Sequence, residues 1–243
     1  MFLVQPEYAQ RVQEAIRTLA ASYASTFAGD MLITFDRNTG FLEDERFMQF
    51  FAAEARDQNE KGLVWRLHVL CWCAHNSLRV DGDFVECGVY RGLSTAVAAR
   101  VLDFGQQPRA WYLYDTFAGI PGDQLNTGHT SPDYFQAPGL YEAAVQRFAP
   151  FPNIRVVRGR IPEVLAEGAP ARVAFMHLDL NSAVAETAAL EFFADRLQPG
   201  AFVVLDDYGW RGYREQKLAA DRFFGARGKP VMELPTGQGV VMI

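Results

Sequence analysis

The sequence predicts an open, doubly wound α/β fold, and three observations carry that expectation. From residue 83 onward, short β-rich runs are separated by helical segments. Most of these runs are continuously apolar rather than alternating, the pattern of parallel strands covered by helices on both faces. The last two runs are separated only by PTGQG, residues 235–239, which leaves no room for a helix and turns the final strand back against its neighbour.

Taken in order, the strand candidates are DFVECGV (83–89), AWYLYDT (110–116), IRVVRG (154–159), VAFMHLDL (173–180), AFVVLDD (201–207), PVMELP (230–235) and GVVMI (239–243). Between the fourth and fifth, Leu190, Phe193, Ala194 and Leu197 form a helical stripe, with Pro199 and Gly200 as stop signals. The first strand runs through Gly88 and Gly92 into a helix expected to begin near Leu93. Between the second and third strands, residues 117–139 are mostly turn formers, and loops of that length inside a compact domain are usually lids or disordered.

Before residue 80 the apolar spacing is helical: Val12, Ile16 and Leu19; Phe47, Phe50 and Phe51; then Leu63, Leu67, Leu70, Cys71 and Ala74. FAGDMLITFDRNTGF, residues 27–41, reads as loop. The expected organisation is a helical cap and oligomerisation region over residues 1–80 and a core over residues 81–243.

At 243 residues and 49% hydrophobic content the chain can bury one sizeable core. A net charge of −6 argues against nucleic acid or an anionic membrane as partner, since either is normally met by a basic patch. Three cysteines, Cys71, Cys73 and Cys87, give neither a disulfide framework nor a four-ligand zinc site, which fits a reducing cytoplasm. The opening residues lack the features of a signal peptide, and no apolar run reaches the roughly 20 residues of a membrane helix.

Ligands of open α/β sheets bind beyond the carboxyl ends of the strands. Those ends supply Glu86 and Gly88, Asp115, Gly159, Asp179, and the pair Asp206 and Asp207. Two carboxylates about 4 Å apart repel by about 4 kcal/mol at an effective dielectric of 20. Asp179, Asp206 and Asp207 face one region from adjacent strands, and an all-oxygen set suits a hard divalent cation such as Mg²⁺. Either Asp206 or Asp207 also has bland readings, as a helix cap or a partner of Arg211 or Arg214. Asp115 is placed to accept hydrogen bonds from a ribose diol or to cap the following turn, and Ser182 reads as a helix N-cap. His129, in the long loop, is a candidate base, whereas His177 reads as a structural histidine.

GDFVECGVYRGLST, YLYDTFAGIPGD, HLDLNSAVAETAALEFFADRLQPGAFVVLDDYGW and the closing LPTGQGVVMI together resemble the macrocin-type O-methyltransferases. That is a class I S-adenosylmethionine family that includes enzymes acting on sugars of macrolide and aminocoumarin antibiotics. The likeness spans residues 82–243. It implies a Rossmann-like seven-stranded sheet with a reversed last strand. It also implies that Glu86, Gly88 and the turn through Val89, Tyr90, Gly92 and Ser94 hold the methionine part of the cofactor. By the same carry-over, Asp115 and Thr116 meet the ribose, Gly159 and Arg160 lie near the adenine, and Asp179 borders the cofactor as well as the metal. Asp179, Asp206 and Asp207 match three Mg²⁺-binding acids. The family commonly has a second aspartate two residues after the first of these, a proposed general base; here it is Asn181, which cannot take up a proton at neutral pH.

The implied activity is methyl transfer to a hydroxyl of a sugar or other polyhydroxylated metabolite, by a cytoplasmic homo-oligomer. Two other readings stand beside it. One is a nicotinamide-dependent oxidoreductase, disfavoured because the first turn lacks the middle glycine of a dinucleotide fingerprint. The other is a non-catalytic methyltransferase-like binding subunit, kept open by Asn181.

Overall fold

The computed structural model describes residues 6–243. The first residues of the expected leader-free start lie outside them. The described residues form two compact units, one ending at residue 69 and one spanning residues 70–243, and the division falls inside a helix.

The first unit contains α1 (Ala9–Ser22), β1 (Thr26–Gly29), β2 (Leu32–Phe35), α2 (Glu45–Glu54), α3 (Gln58–Gly62) and the start of α4 (Val64–Ser77). The stretch expected to be loop holds an antiparallel hairpin instead, with Gly29 opposite Leu32 and Thr26 opposite Phe35. Its two-residue connection, Asp30 and Met31, has positive φ at both positions (48° and 62°), the signature of a type I′ turn. Met31 replaces the glycine that normally announces such a turn, so the signal was absent from the sequence. Asp30 is fixed by Arg66, whose Nε and Nη2 lie 3.0 and 2.9 Å from its Oδ2. The stripes on α2 and α4 do bury Phe47, Phe51 and Leu67. No residue of α1 is buried, so Val12, Ile16 and Leu19 form an amphipathic stripe that stays accessible.

The second unit is built on β3 (Asp83–Cys87), β4 (Trp111–Asp115), β5 (Ile154–Arg158), β6 (Val173–Leu178), β7 (Leu197–Leu205), β8 (Met232–Glu233) and β9 (Gly239–Met242). They form one sheet in the order β5-β4-β3-β6-β7-β9-β8. All neighbours are parallel except β9, which runs against both β7 and β8. The helices are α5 (Leu93–Val101), α6 (Leu140–Phe148), α7 (Ala183–Phe193) and α8 (Arg214–Gly225). Only a 3₁₀ turn, Glu163–Glu167, is assigned between β5 and β6.

Period-two geometry explains the continuous apolar runs, because successive side chains feed two different cores. On one face Phe84, Phe104, Trp111 and Phe175 interlock, with ring centroids 4.9 to 5.9 Å apart. On the other, Val85, Tyr114, Met176, Leu178, Val203 and Leu205 join a second apolar cluster. Each such side chain contributes about 1.5–3 kcal/mol on burial. The helix after β6 ends at Phe193, and Leu197, expected on that helix, instead begins β7 opposite Val173. Gln198, Pro199 and Gly200 therefore lie inside a strand, with Gly200 at φ 86° where the register with β6 shifts.

The chain passes from β3 outward to β5, then returns to β6 on the other side of β3. The β3/β6 boundary is thus the switch point where open α/β sheets bind ligands.

Candidate active site

The strand ends predicted as a ligand rim are stitched together by single backbone bonds. Gly159 N–H donates to Asp115 O (2.9 Å), Gly88 N–H to Tyr114 O (2.9 Å), Asp179 N–H to Cys87 O (2.8 Å) and Asp206 N–H to Leu178 O (2.9 Å). Three of these ends are followed by a non-glycine residue in the left-handed region: Tyr90 (φ 49°), Phe117 (φ 50°) and Asn181 (φ 55°). Such strain clusters where a fold must present groups to a ligand.

Gly88 and Asp179 face each other across the switch point. A Cβ on Gly88, at φ 90°, would stand 1.9 Å from the Asp179 carbonyl oxygen, so only glycine lets the two strand ends meet. Gly92 caps α5 in the left-handed conformation (φ 73°), where a Cβ would press on the Phe148 ring at 2.7 Å. Val89 is buried and Ser94 half-buried in the turn and first helical residues.

Asp115 organises this turn from beneath. Its Oδ2 accepts the N–H groups of Val89 (2.7 Å) and Tyr90 (2.8 Å), and its Oδ1 accepts Phe117 N–H (2.7 Å). A carboxylate offers about four acceptor positions, so three of them hold the protein's own backbone. Thr116 is likewise engaged locally, donating to Gly119 O at 2.7 Å. Gly159 packs so closely on Val164 that a Cβ would reach its Cγ2 at 2.6 Å. Arg160 grips Asp123 through two bonds (3.0 and 2.5 Å), which joins the end of β5 to the long loop. That hydrogen bonding holds the exposed Asp123 carboxyl below its ordinary pKa.

Glu86, expected beside the methionine part of the cofactor, lies beneath the turn. Its carboxylate is 1% exposed and turned inward: Oε2 accepts Thr95 Oγ1 (2.5 Å) and Oε1 lies 2.8 Å from His177 Nδ1. The strand parity explains this, because Glu86 is directly opposite His177 in the β3/β6 register and both point to the same buried face. His177 Nε2 in turn lies 3.4 Å from Asp206 Oδ1. Burial works to lower the pKa of His177, but Asp206 and Glu86 outweigh it and raise it to about 10.

The three predicted metal acids do converge. Asp179, Asp206 and Asp207 bring ligand atoms within 4.8 Å of one another. Asn181 Nδ2 donates to Asp179 Oδ1 (3.1 Å), and Gln238 Nε2 donates to Asp206 Oδ1 (2.9 Å). Three carboxylates this close, all oxygen donors, fit a hard divalent cation such as Mg²⁺ and give no soft ligand for zinc or copper. Behind them lies Glu186, on the first turn of α7, whose pKa is pushed up to about 8 by burial and by the field of Asp207.

The loop over residues 117–139 is irregular apart from two 3₁₀ turns, as expected, but its middle is not free. Gln124 Nε2 donates to Ile161 O (2.7 Å), and Ser182 Oγ donates to Gln124 O (2.6 Å) while capping α7 through Ala185 N–H. Asn126 is buried, accepting Ala183 N–H (2.9 Å) and donating to Gln216 Oε1 (2.9 Å); Gln216 Nε2 reaches Glu186 Oε1 (2.6 Å). His129 stands half-buried against Tyr213, ring centroids 5.6 Å apart. Nearer the loop's end, Phe135 and Tyr134 meet the Tyr90 ring at 5.3 and 5.9 Å. Sequence reasoning missed Gln124, Asn126, Glu186, Gln216 and Gln238, because amides in loops and an acid in a first helical turn carry no distinctive spacing.

A sheet with one reversed strand, a glycine turn at its switch point and acids along its carboxyl rim define a Rossmann-like, class I methyltransferase fold. Solved structures agree: the calicheamicin methyltransferase CalS11 matches with a TM-score of 0.65 and 19% identity over 99% of this chain and 94% of that one. The O-methyltransferase NovP matches at 0.61 and 19% over 74% and 79%. Within that class, the chain belongs to the macrocin-O-methyltransferase (TylF) family, whose model matches residues 65–228. Two relatives are a tetracenomycin-C rhamnosyl 4'-O-methyltransferase from Streptomyces olivaceus, 31% identical, and mycinamicin III 3''-O-methyltransferase from Micromonospora griseorubida, 28% identical. Each match covers 59% of this chain and 60% and 62% of the respective relative, so the chain spans about three fifths of their length. Among the described residues no helix is long and apolar enough to cross a membrane.

Proposed function

We propose that this protein is an S-adenosylmethionine-dependent O-methyltransferase that uses Mg²⁺ and methylates a hydroxyl of a sugar on a small-molecule natural product. The observation that carries this reading is the convergence of Asp179, Asp206 and Asp207 within 4.8 Å beside the Gly88 turn, in a chain of this family. One named relative acts on a rhamnosyl-tetracenomycin and the other on mycinamicin III, which supports a glycosylated small-molecule acceptor.

In this reading the turn of Gly88, Val89, Tyr90, Gly92 and Ser94 receives the methionine portion of the cofactor. Asp115 keeps that turn in shape and offers its remaining acceptor position to the ribose, with Thr116 beside it. Gly159 and Arg160 border the adenine. Glu86 supports the turn from within. Asp179, Asp206 and Asp207 hold the cation, and Asn181 orients Asp179 by its amide donor. S-adenosylmethionine supplies an electrophilic methyl and Mg²⁺ a Lewis acid that orients acceptor hydroxyls and makes them more acidic. With an amide at position 181, proton acceptance falls to another group, and His129 is the candidate from the loop. The accessible apolar stripe of α1 supports a role for the N-terminal region, residues 1–80, in a cytoplasmic homo-oligomer.

Calorimetric titration of S-adenosylhomocysteine and of Mg²⁺ tests the reading, using wild type and an Asp206→Asn, Asp207→Asn double variant. The expected result is cofactor-product binding by both proteins and Mg²⁺ uptake by the wild type alone. Product binding without metal uptake removes the cation, and binding of neither removes the methyltransferase assignment. Unchanged methyl transfer after His129→Ala would remove that histidine from the reaction.

A further inference from the structure

We propose that His177 is a positioning residue that couples occupancy of the cofactor turn to occupancy of the acidic cluster. The inference rests on the methyltransferase reading above and deepens it, because it concerns how two ligands of one site communicate.

The basis is a line of buried polar side chains crossing β3, β6 and β7, hydrogen-bonded on either side of a longer contact between His177 and Asp206. It starts at Thr95, in the first turn of α5 just after the glycine turn, and passes to Glu86 Oε2 at 2.5 Å. Glu86 Oε1 meets His177 Nδ1 at 2.8 Å, and His177 Nε2 meets Asp206 Oδ1 at 3.4 Å. Asp206 Oδ1 accepts Gln238 Nε2 at 2.9 Å, and Gln238 Oε1 accepts Thr236 Oγ1 at 3.0 Å. Every member is at most 7% exposed.

A row of polar groups in that position costs desolvation that aliphatic side chains would not. A sheet core needs none of them for packing, as the neighbouring apolar residues Met176 and Leu178 show. What the row does is link one proposed metal ligand, Asp206, to the helix start that follows the proposed cofactor turn. The link is firm on the Glu86 side and looser on the Asp206 side, where 3.4 Å exceeds ordinary hydrogen-bond length. A cation that orders Asp206 and a cofactor that orders the turn before Thr95 therefore select the same arrangement of the side chains between them. Two ligands that stabilise one arrangement bind with positive coupling, and the coupling is reciprocal.

The test measures affinities rather than turnover. S-adenosylhomocysteine, which lacks the sulfonium charge, is titrated calorimetrically with and without saturating Mg²⁺, and Mg²⁺ with and without S-adenosylhomocysteine. In the wild type each ligand is expected to tighten the other by the same factor, about 5-fold or more. In His177→Gln both ligands still bind but the factor falls toward one. Thr95→Val, which keeps side-chain shape and every charge, serves as the second variant should the histidine variant fail to fold, and is expected to reduce the factor in the same direction. A coupling factor that both variants preserve, or the absence of coupling in a wild type that binds both ligands, overturns the inference while leaving the methyltransferase reading intact. Failure of the wild type to bind either ligand overturns both.

Discussion

The α-carbon of Gly88 faces the carbonyl oxygen of Asp179 so closely that a methyl group on it would stand 1.9 Å away. The contact joins the ends of β3 and β6, where both the proposed cofactor turn and the first acid of the cluster begin. Backbone opposes the methyl, so no side-chain rotation relieves it, and φ 90° adds strain for any L-residue. Gly88→Ala is expected to cost more than about 4 kcal/mol, in the exceptional range for single substitutions. Gly122, with nothing near its Cβ position and no positive φ, supplies the control: its alanine variant should stay within about 0.5 kcal/mol. Urea denaturation of the two variants decides, and equal midpoints would show that the strand ends are not locked at this point.

Asp115 makes a different prediction. Its two oxygens take three backbone N–H groups, from Val89, Tyr90 and Phe117. An asparagine has one carbonyl oxygen, so in Asp115→Asn at least one donor faces an NH₂ group. Leaving a buried donor unsatisfied costs about 1–3 kcal/mol. A residue that only contacted ribose would lose cofactor affinity without losing stability in the free protein. The expected outcome is a lower denaturation midpoint with no ligand present, together with weakened S-adenosylhomocysteine binding. A variant that loses binding alone returns Asp115 to a purely ligand-facing role.

Much of this architecture was legible because parallel strands and their carboxyl ends leave plain marks. The strand runs, the reversed β9, the start of α5 at Leu93 and the convergence of Asp179, Asp206 and Asp207 all follow from apolar continuity, connection length and the position of acids after such runs. The hairpin at residues 26–35 was illegible because Met31 holds a left-handed position that sequence rules reserve for glycine or asparagine. Leu197 was misplaced because Pro199 and Gly200 look like a helix stop, whereas here they sit in a strand where the ladder shifts register. Glu86 was expected on the ligand rim from its place at a strand end, and beside the methionine part of the cofactor from the family resemblance. Its direction depends on parity relative to His177, which lies 91 residues away and is brought beside it only by the order of strands in the sheet. Amide tethers such as Asn126 to Gln216 span a comparable distance in sequence and have no local pattern at all.

Asn181 sits at φ 55°, a conformation that asparagine and aspartate both tolerate, and its amide donates to Asp179 Oδ1 at 3.1 Å. Asn181→Asp therefore preserves the backbone while exchanging a donor for a like charge. At about 4 Å and an effective dielectric of 20 two carboxylates repel by about 4 kcal/mol, and partial exposure screens this to about a quarter to a half of that ceiling. In EDTA the variant should melt below the wild type. Added Mg²⁺ should then raise its melting temperature by more than it raises that of the wild type, since a bound cation removes the new repulsion and binding to the folded state adds stability. Equal Mg²⁺-induced shifts in the two proteins would separate position 181 from the cation site.

Alkaline pH provides a test of the core that needs no ligand. Burial pushes the Cys73 thiol up to about 12, and it raises Cys87 well above its usual range with help from Glu86, Glu186 and Asp115. An unfolded cysteine releases its proton near pH 8.5. Above that pH the unfolded chain has lost protons that the native chain retains, so fewer protons are bound in the unfolded state and stability falls as pH rises. The contribution of these thiols is thus fully present below about pH 8 and is lost progressively above about pH 9, each group approaching a slope of about 1.4 kcal/mol per pH unit. Urea unfolding at pH 8, 9 and 10 should show that decline, and Cys73→Ala should make it shallower by the share of one thiol, which isolates the cysteine from lysines and tyrosines that titrate in the same range. The same burial should keep Cys73 and Cys87 silent toward a thiol reagent at pH 8 until denaturant is added. A variant slope equal to the wild-type slope, or rapid native labelling at Cys73 and Cys87, would mean that water reaches the thiols at the end of β3 and within α4.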